Sequence, residues 1–173
     1  RRLTTILYDL GVSKGDRVGY IGLNHPAFLE LLYACGCIGA VFVPLNFRLT
    51  GPEVRFIAND ADIKLMFADD MLRPLIDSEK DNLNCVGYLS IESDADSWLS
   101  LASLMEKALP STLDQIVEAD DIAFIMYTSG TTGKPKAVRF ADTASAAPPE
   151  PPPCFTSRMG SMMLQSCLQE QAA

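Results

Sequence analysis

Five short apolar runs, each bounded by turn residues, are separated by stretches whose apolar residues recur at helical spacing, and this alternation limits the fold more than any other feature. The strand-like runs are 17–21, 40–43, 64–68, 85–89 and 122–127. Before the first of them, Leu3, Ile6, Leu7 and Leu10 stand at i, i+3, i+4 and i+7, the spacing of a buried helical stripe, and Gly11 is a natural stop. Asn24 is a candidate cap for a second helix that tolerates Pro26 in its first turn and runs through Phe28, Leu29, Leu32 and Tyr33 to about Gly39. Pro44 is expected to end the strand over 40–43. Thr50-Gly51-Pro52-Glu53 is a capping box opening a helix that buries Val54, Ile57, Ala58 and Ala61. A short helix interrupted by Pro74 is expected over 71–76. Another is expected over 97–108, with Trp98, Leu101, Leu104 and Met105 on one face. Strands alternating with helices predict an α/β protein with a mostly parallel sheet and flanking helices.

The 173 residues suit one domain, or one domain and a tail, and 48% hydrophobic against 21% charged residues excludes wholesale disorder. The longest uncharged apolar run, residues 31–45, contains two glycines and a proline and falls short of the roughly 20 residues a spanning helix needs. No transmembrane segment is therefore expected. Arg1 and Arg2 lead into a helical pattern containing Asp9 rather than a signal peptide, and no initiator methionine precedes them. The expectation is a chain that starts part-way into something larger.

The net charge of −8 argues against nucleic acid or an anionic membrane as a general partner. It is unevenly spread: residues 53–121 carry 5 basic and 16 acidic side chains, whereas both flanking stretches are slightly basic. The acidic middle reads as a solvated face. A phosphate-rich substrate would be drawn to the basic ends instead. Five cysteines, an odd number, point to free thiols in a reducing compartment, a cytoplasmic or organellar interior, and not to secretion. Cys35 and Cys37 fall about 200° apart around the second helix and cannot share one metal ion. His25, the single histidine, reads as a helix-start residue.

From about Ala141 the composition shifts. Residues 141–173 hold five of the eleven prolines, including Pro148, Pro149 and Pro151 to Pro153, and read as an extended, disordered tail. The domain organisation expected is 1–140 folded and 141–173 tail. PPEPPP without flanking basic residues is a poor SH3-type ligand.

The stretch that carries chemistry follows the last strand directly: Tyr127-Thr128-Ser129-Gly130-Thr131-Thr132-Gly133-Lys134-Pro135-Lys136. Glycines let backbone N–H groups turn toward an anion, hydroxyls add neutral donors, and lysines add charge. In an open α/β sheet the carboxyl end of a strand is where ligands bind. The pattern points to a polyphosphate. It is not a Walker A loop, because Thr128 stands where the first glycine belongs and Pro135 follows Lys134.

The run YTSGTTGKPK resembles the phosphate-binding signature of the adenylate-forming (AMP-binding) superfamily, which includes acyl-CoA synthetases, luciferases and peptide-synthetase adenylation domains. Upstream, LGVSKGDRV, CGCIGAVFVPLNFRLTGPEV and NDADIKLMFAD resemble that family's opening segments in the same order, over about residues 3–138. VPLNFRLTGPEV looks more like fatty-acid or aryl-acid CoA ligases than like peptide-synthetase domains. The resemblance implies the incomplete N-terminal portion of such an enzyme's large domain. It further implies a two-step reaction in which a carboxylate and ATP give an acyl-adenylate and pyrophosphate, and coenzyme A then displaces AMP, with Mg²⁺ accompanying the ATP. Small molecules (ATP, a carboxylic acid, CoA) are the partners implied. Thr128, Ser129, Gly130, Thr131, Thr132 and Gly133 would wrap the β- and γ-phosphates, Lys134 and Lys136 would add positive charge, and Tyr127 would anchor the loop to its strand. No catalytic residue and no metal ligand is assigned within the chain.

Two departures stand out. Ala137 occupies the place of a usual glycine, and residues 139–173 are expected not to resemble the family. The family's aromatic-Gly-x-Thr-Glu segment, its ribose-binding aspartate and its C-terminal lysine have no counterpart. The expectation is a truncated, alternatively spliced or wrongly translated acyl-CoA synthetase, inactive alone and marginally stable, whose unpaired sheet edge invites aggregation. The alternatives are a non-catalytic nucleotide- or phosphate-binding module, and an interaction protein acting through its proline-rich tail.

Overall fold

The computed structural model describes residues 1–95, 97–110, 116–128 and 135–141. Its elements are α1 (Arg2–Asp9), β1 (Arg17–Ile21), α2 (Pro26–Ile38), β2 (Val41–Leu45), α3 (Gly51–Asp60), β3 (Ile63–Ala68), α4 (Arg73–Asp77), β4 (Gly87–Ser90), β5 (Leu99–Ser100), α5 (Leu101–Lys107), β6 (Ile122–Thr128) and β7 (Lys136–Ala141). Among the described residues seven strands form one sheet in the order β5-β4-β3-β1-β2-β6-β7, parallel throughout except for β7, which runs antiparallel to β6. This is the α/β class that the alternation predicts.

Each face of the sheet has its own core. Val18, Tyr20, Phe42, Phe67 and Phe124 point to one face and meet Leu3, Ile6 and Leu7 of α1, Leu31, Cys35 and Ile38 of α2, and Leu101 of α5. Their strand neighbours Ile21, Val41, Val43, Met66 and Ile125 point the other way, against Val54, Ile57 and Ala58 of α3 and Ile76 of α4. Connections that step toward β6 (α2, α5) lie on the first face, and those that step toward β5 (α3, α4) lie on the second. A single crossover hand requires this, and the right hand is the one chain geometry favours.

Local chemistry sets the element ends. Gly39 closes α2 at φ 65° in the left-handed region, and Gly15 at φ 83° turns the chain into β1. Glu53 accepts from both the backbone N–H and the hydroxyl of Thr50, at 2.8 and 2.7 Å. At the amino end of the strands, Arg17 donates to the carbonyl of Ala61 at 2.8 Å, and Lys64 reaches the carboxylate of Asp16 at 2.7 Å.

Several expectations need correction. The cap of α2 is His25, whose Nδ1 accepts from the N–H of Ala27 at 3.1 Å, because Pro26 takes the first helical position and moves the cap past Asn24. The helix runs through Phe28, Leu29, Leu32 and Tyr33 as expected, with Leu29 and Tyr33 on its outer side, 40% and 38% exposed. Pro44 does not end β2, which continues to Leu45 and pairs Pro44 with Tyr20 of β1. β2 pairs with β6 at Phe42–Phe124, two residues earlier. Residues 97–108 are not one helix. Leu99 and Ser100 form β5, and the Ser100 hydroxyl then caps α5 by accepting from the N–H of Ser103. As a result Trp98 is buried on the α3/α4 face while Leu101 is buried on the other. The indole of Trp98 donates to Asp77 at 2.8 Å. Lys80 stacks over Trp98 and Tyr88, 5.0 and 4.2 Å from their centroids, which explains an aromatic at this position without a helix.

Phe42 joins the aromatic rings across the first face: Phe28 lies at 5.1 Å, Phe124 at 6.0 Å and Tyr20 at 6.4 Å. Phe42→Ala is expected to cost about 3–5 kcal/mol, read as a lowered midpoint in urea denaturation. Loss of less than about 1 kcal/mol would mean that this cluster does not hold the sheet to α2.

Candidate functional site: the carboxyl end of the sheet beside β6 and β7

Because β1, β2 and β6 are adjacent and parallel, their carboxyl ends share one rim, made by Ile21, Leu45 and Thr128. Of the residues expected to cradle phosphate, Thr128 closes β6 and Lys136 opens β7. The two stand opposite each other across the antiparallel ladder, both exposed. The chain therefore leaves the sheet and returns to it at neighbouring positions on the predicted rim. Ser129, Gly130, Thr131, Thr132, Gly133 and Lys134 lie outside the described residues. So does the expected tail beyond Ala141, and Ala141 itself completes β7.

Tyr127, one residue before that exit, is tied down. Its hydroxyl donates to the carboxylate of Asp60, the last residue of α3, at 2.7 Å. Burial, and then the Asp60 carboxylate, push the Tyr127 phenol above its ordinary range. A carboxylate at a helix carboxyl terminus faces like-signed carbonyl dipoles, a small cost that the tyrosine proton offsets. The family resemblance implies an anchoring role for Tyr127, but no local signal marks Asp60 as the anchor, because the two are 67 positions apart. Asp60 also borders an open depression of about 460 Å³ on the outer side of α3, with Pro52, Arg55, Phe56 and Asn59.

The neighbouring crevice, between β1 and β3, is closed by an acid. Asp69 accepts from the Tyr20 hydroxyl at 2.9 Å and from the N–H of Leu23 at 2.7 Å. A Cβ on Gly22 would strike that same carboxylate and hydroxyl. A carboxylate at this point of the rim disfavours phosphate there. On the β2 side the rim carries a cation that the sequence reading left without a role: Arg48 is exposed at the turn after β2 and stacks on Phe47, 5.3 Å from its centroid. Among the described residues, Arg48 and Lys136 give the part of the carboxyl end beside β2, β6 and β7 its positive charge.

Cys35 is wholly buried in α2 and burial pushes its pKa up, while burial raises Cys85 to about 11. Among the described residues no group of three His, Cys, Asp or Glu side chains is arranged to hold a metal ion. No described helix is long and apolar enough to cross a membrane.

A mostly parallel α/β sheet of this kind takes its ligands at the carboxyl ends of its strands. The model of the AMP-binding enzyme family matches residues 1–143, and the chain belongs to that family. The match extends past Val138 and corrects the expectation that likeness stops there, since β7 itself is part of the shared fold. The chain is similar to an indoleacetate–CoA ligase of Aromatoleum aromaticum, with 36% identity over 148 residues, 84% of this chain and 29% of that protein. It is also similar to the long-chain-fatty-acid–CoA ligase FadD13 of Mycobacterium tuberculosis, with 39% identity over 140 residues, 79% of this chain and 27% of the relative. Among solved structures, the anthranilate CoA ligase AuaEII in complex with anthranoyl-AMP matches with a TM-score of 0.77 and 28% identity. That alignment covers 82% of this chain and 28% of the other. The chain spans somewhat over a quarter of the length of these relatives.

Tyr127→Phe is expected to lower stability by about 0.5–1.5 kcal/mol at neutral pH. Because the folded pKa lies above the unfolded one, the contribution is complete below about pH 10, the usual tyrosine value, and is lost as pH rises through the folded value. The gap between wild type and variant in urea denaturation should therefore narrow above pH 10. A gap constant to pH 11.5, or no gap at pH 7, would remove Asp60 as the anchor.

Proposed function

We propose that this chain supplies the triphosphate-binding part of an ATP-dependent carboxylic acid–CoA ligase. The observation that carries the reading is the position of the Thr128–Lys136 return: it follows the buried strand β6 in a chain whose family match spans residues 1–143. In the reaction proposed for the intact enzyme, an acid oxygen attacks the α-phosphorus of ATP and pyrophosphate leaves. Coenzyme A thiolate then attacks the acyl carbon and AMP leaves. Within that scheme Thr128, Ser129, Thr131 and Thr132 donate neutral hydrogen bonds to the β- and γ-phosphates. Gly130 and Gly133 let the backbone come close, and Lys134 and Lys136 neutralise charge as pyrophosphate departs. Mg²⁺ would travel with ATP, and no magnesium ligand is assigned among the described residues.

The same reading has the chain bind phosphate without completing adenylation. Nothing in the sequence matches the segments the family resemblance assigns to adenine and ribose, and positioning supplies roughly 7–11 kcal/mol of barrier lowering in such reactions. The purified chain should therefore show no acid-dependent exchange of labelled pyrophosphate into ATP with fatty or aryl acids, while binding pyrophosphate or ATP measurably by calorimetry. Lys134→Ala or Lys136→Ala should weaken that binding by about ten- to a hundred-fold, the worth of a charge-assisted hydrogen bond, and Thr132→Ala by less. Binding unchanged in both lysine variants would overturn the phosphate assignment. Robust acyl-adenylate formation would overturn the proposed inactivity.

A further inference from the structure

Strand β6 is held unequally along its length. On the β2 side its register falls at Phe42–Phe124, whereas on the β7 side it runs from Ile122 to Thr128. The last residues of β6 and the first of β7 thus form a two-stranded arm, with Thr128 and Lys136 paired at its tip. Near the base of this arm Ile125 is buried in the α3/α4 core, and Phe140 meets Phe124 at 5.8 Å. Near the tip, Tyr127 packs partly buried against the same core and its hydroxyl reaches Asp60 at 2.7 Å. Asp60 stands between two residues that are themselves fixed. Asn59 donates to the carbonyl of Asn82 at 2.8 Å and accepts from the N–H of Asn84 at 3.1 Å, and the carbonyl of Ala61 accepts from Arg17 at 2.8 Å.

We propose that Asp60 is a positioning residue for the Thr128–Lys136 return: acting through Tyr127, it raises the affinity of that return for phosphate. The inference rests on the phosphate-binding reading given above and adds to it a residue that contacts no phosphate in that scheme. Asp60 holds the residue before Thr128 to a fixed post, so the exit from β6 is placed before an anion arrives and binding carries less of the ordering cost. The gain is bounded by the worth of the hydrogen bond itself, which corresponds to about two- to ten-fold in affinity. Sign separates this role from a simple electrostatic one. A carboxylate near an anion site weakens phosphate binding through its field, so removing an Asp60 that acted by charge alone would tighten binding. Removing a positioning Asp60 loosens binding in spite of the lost repulsion.

The test is calorimetric titration of the whole 173-residue chain with pyrophosphate, with circular dichroism and the urea midpoint reporting the fold of each variant. Asp60→Ala should weaken binding by about two- to ten-fold, and Tyr127→Phe by a similar factor. Asp60→Asn keeps an oxygen that accepts from the phenol and should hold the parent affinity within about two-fold. Combining Asp60→Ala with Tyr127→Phe should weaken binding no further than either alone, because both remove one interaction. Asp77→Ala is the control. It breaks the Asp77–Trp98 hydrogen bond on the same face of the sheet, beside β5 at the far end of the strand order from β6 and β7, and should leave affinity unchanged. Tighter or unchanged binding in Asp60→Ala overturns the positioning role. So does an additive double variant, an Asp60→Asn as weak as Asp60→Ala, or an equal loss in Asp77→Ala. In those cases weakening by Lys134→Ala or Lys136→Ala leaves the phosphate reading standing. A parent chain that binds no pyrophosphate overturns both.

Discussion

A parallel sheet cannot present one face to water when its connections cross over it, and this structure follows from covering both faces. Direction of travel decides which face receives each helix: α2 and α5 cover one, α3 and α4 the other. Phe42 sits in the middle of the first core, in ring contact with Tyr20, Phe28 and Phe124. Through Phe124 the contact extends to Phe140 on β7, 5.8 Å away. Packing thus couples the strand that leads into the phosphate signature to the strand that leads out of it.

The same topology sorts charge. All six parallel strands point their carboxyl ends to one rim, and the side chains there divide it. Asp69 ties β1 to β3 by accepting from Tyr20 and Leu23, which sets a carboxylate against anionic ligands on that side. Arg48 and Lys136 stand on the β2–β6–β7 side. The described acids of residues 53–121 are all exposed or half-buried, as a solvated face requires, and some also make structural contacts: Asp60 holds Tyr127, Asp77 holds Trp98, and Asp121 pairs with Lys14 at 2.7 Å.

Much of this was legible in the sequence because period carries burial. Leu3, Ile6 and Leu7, and Val54, Ile57 and Ala58, are buried as their spacing demands. The strand positions follow from apolar runs between turn residues. The misreadings arise where tertiary contacts override local pattern. Trp98 shares helical spacing with Leu101, yet a two-residue strand and the Asp77 carboxylate place it on the other face. Pro44 reads as a stop, yet β1 still pairs with it. The strand β7 was missed because its pattern, Lys-Ala-Val-Arg-Phe-Ala, is short and adjoins a proline-rich composition. For the site, residue types alone marked the Tyr127–Lys136 run. Its anchor Asp60 and the closing of the neighbouring crevice by Asp69 are long-range facts, with no trace in local sequence.

The proposed function has the rim between β6 and β7 bind the phosphates of ATP. The most direct measurement is amide chemical-shift mapping of the isotope-labelled chain during titration with ATP and, separately, with pyrophosphate. Phosphate binding there should give saturable shifts at Thr128, Lys136 and the residues between them, shared by both ligands, with Leu23 and Asp69 little changed. Shifts concentrated at the β1–β3 crevice, or none at Thr128 and Lys136 at millimolar ligand, would contradict it.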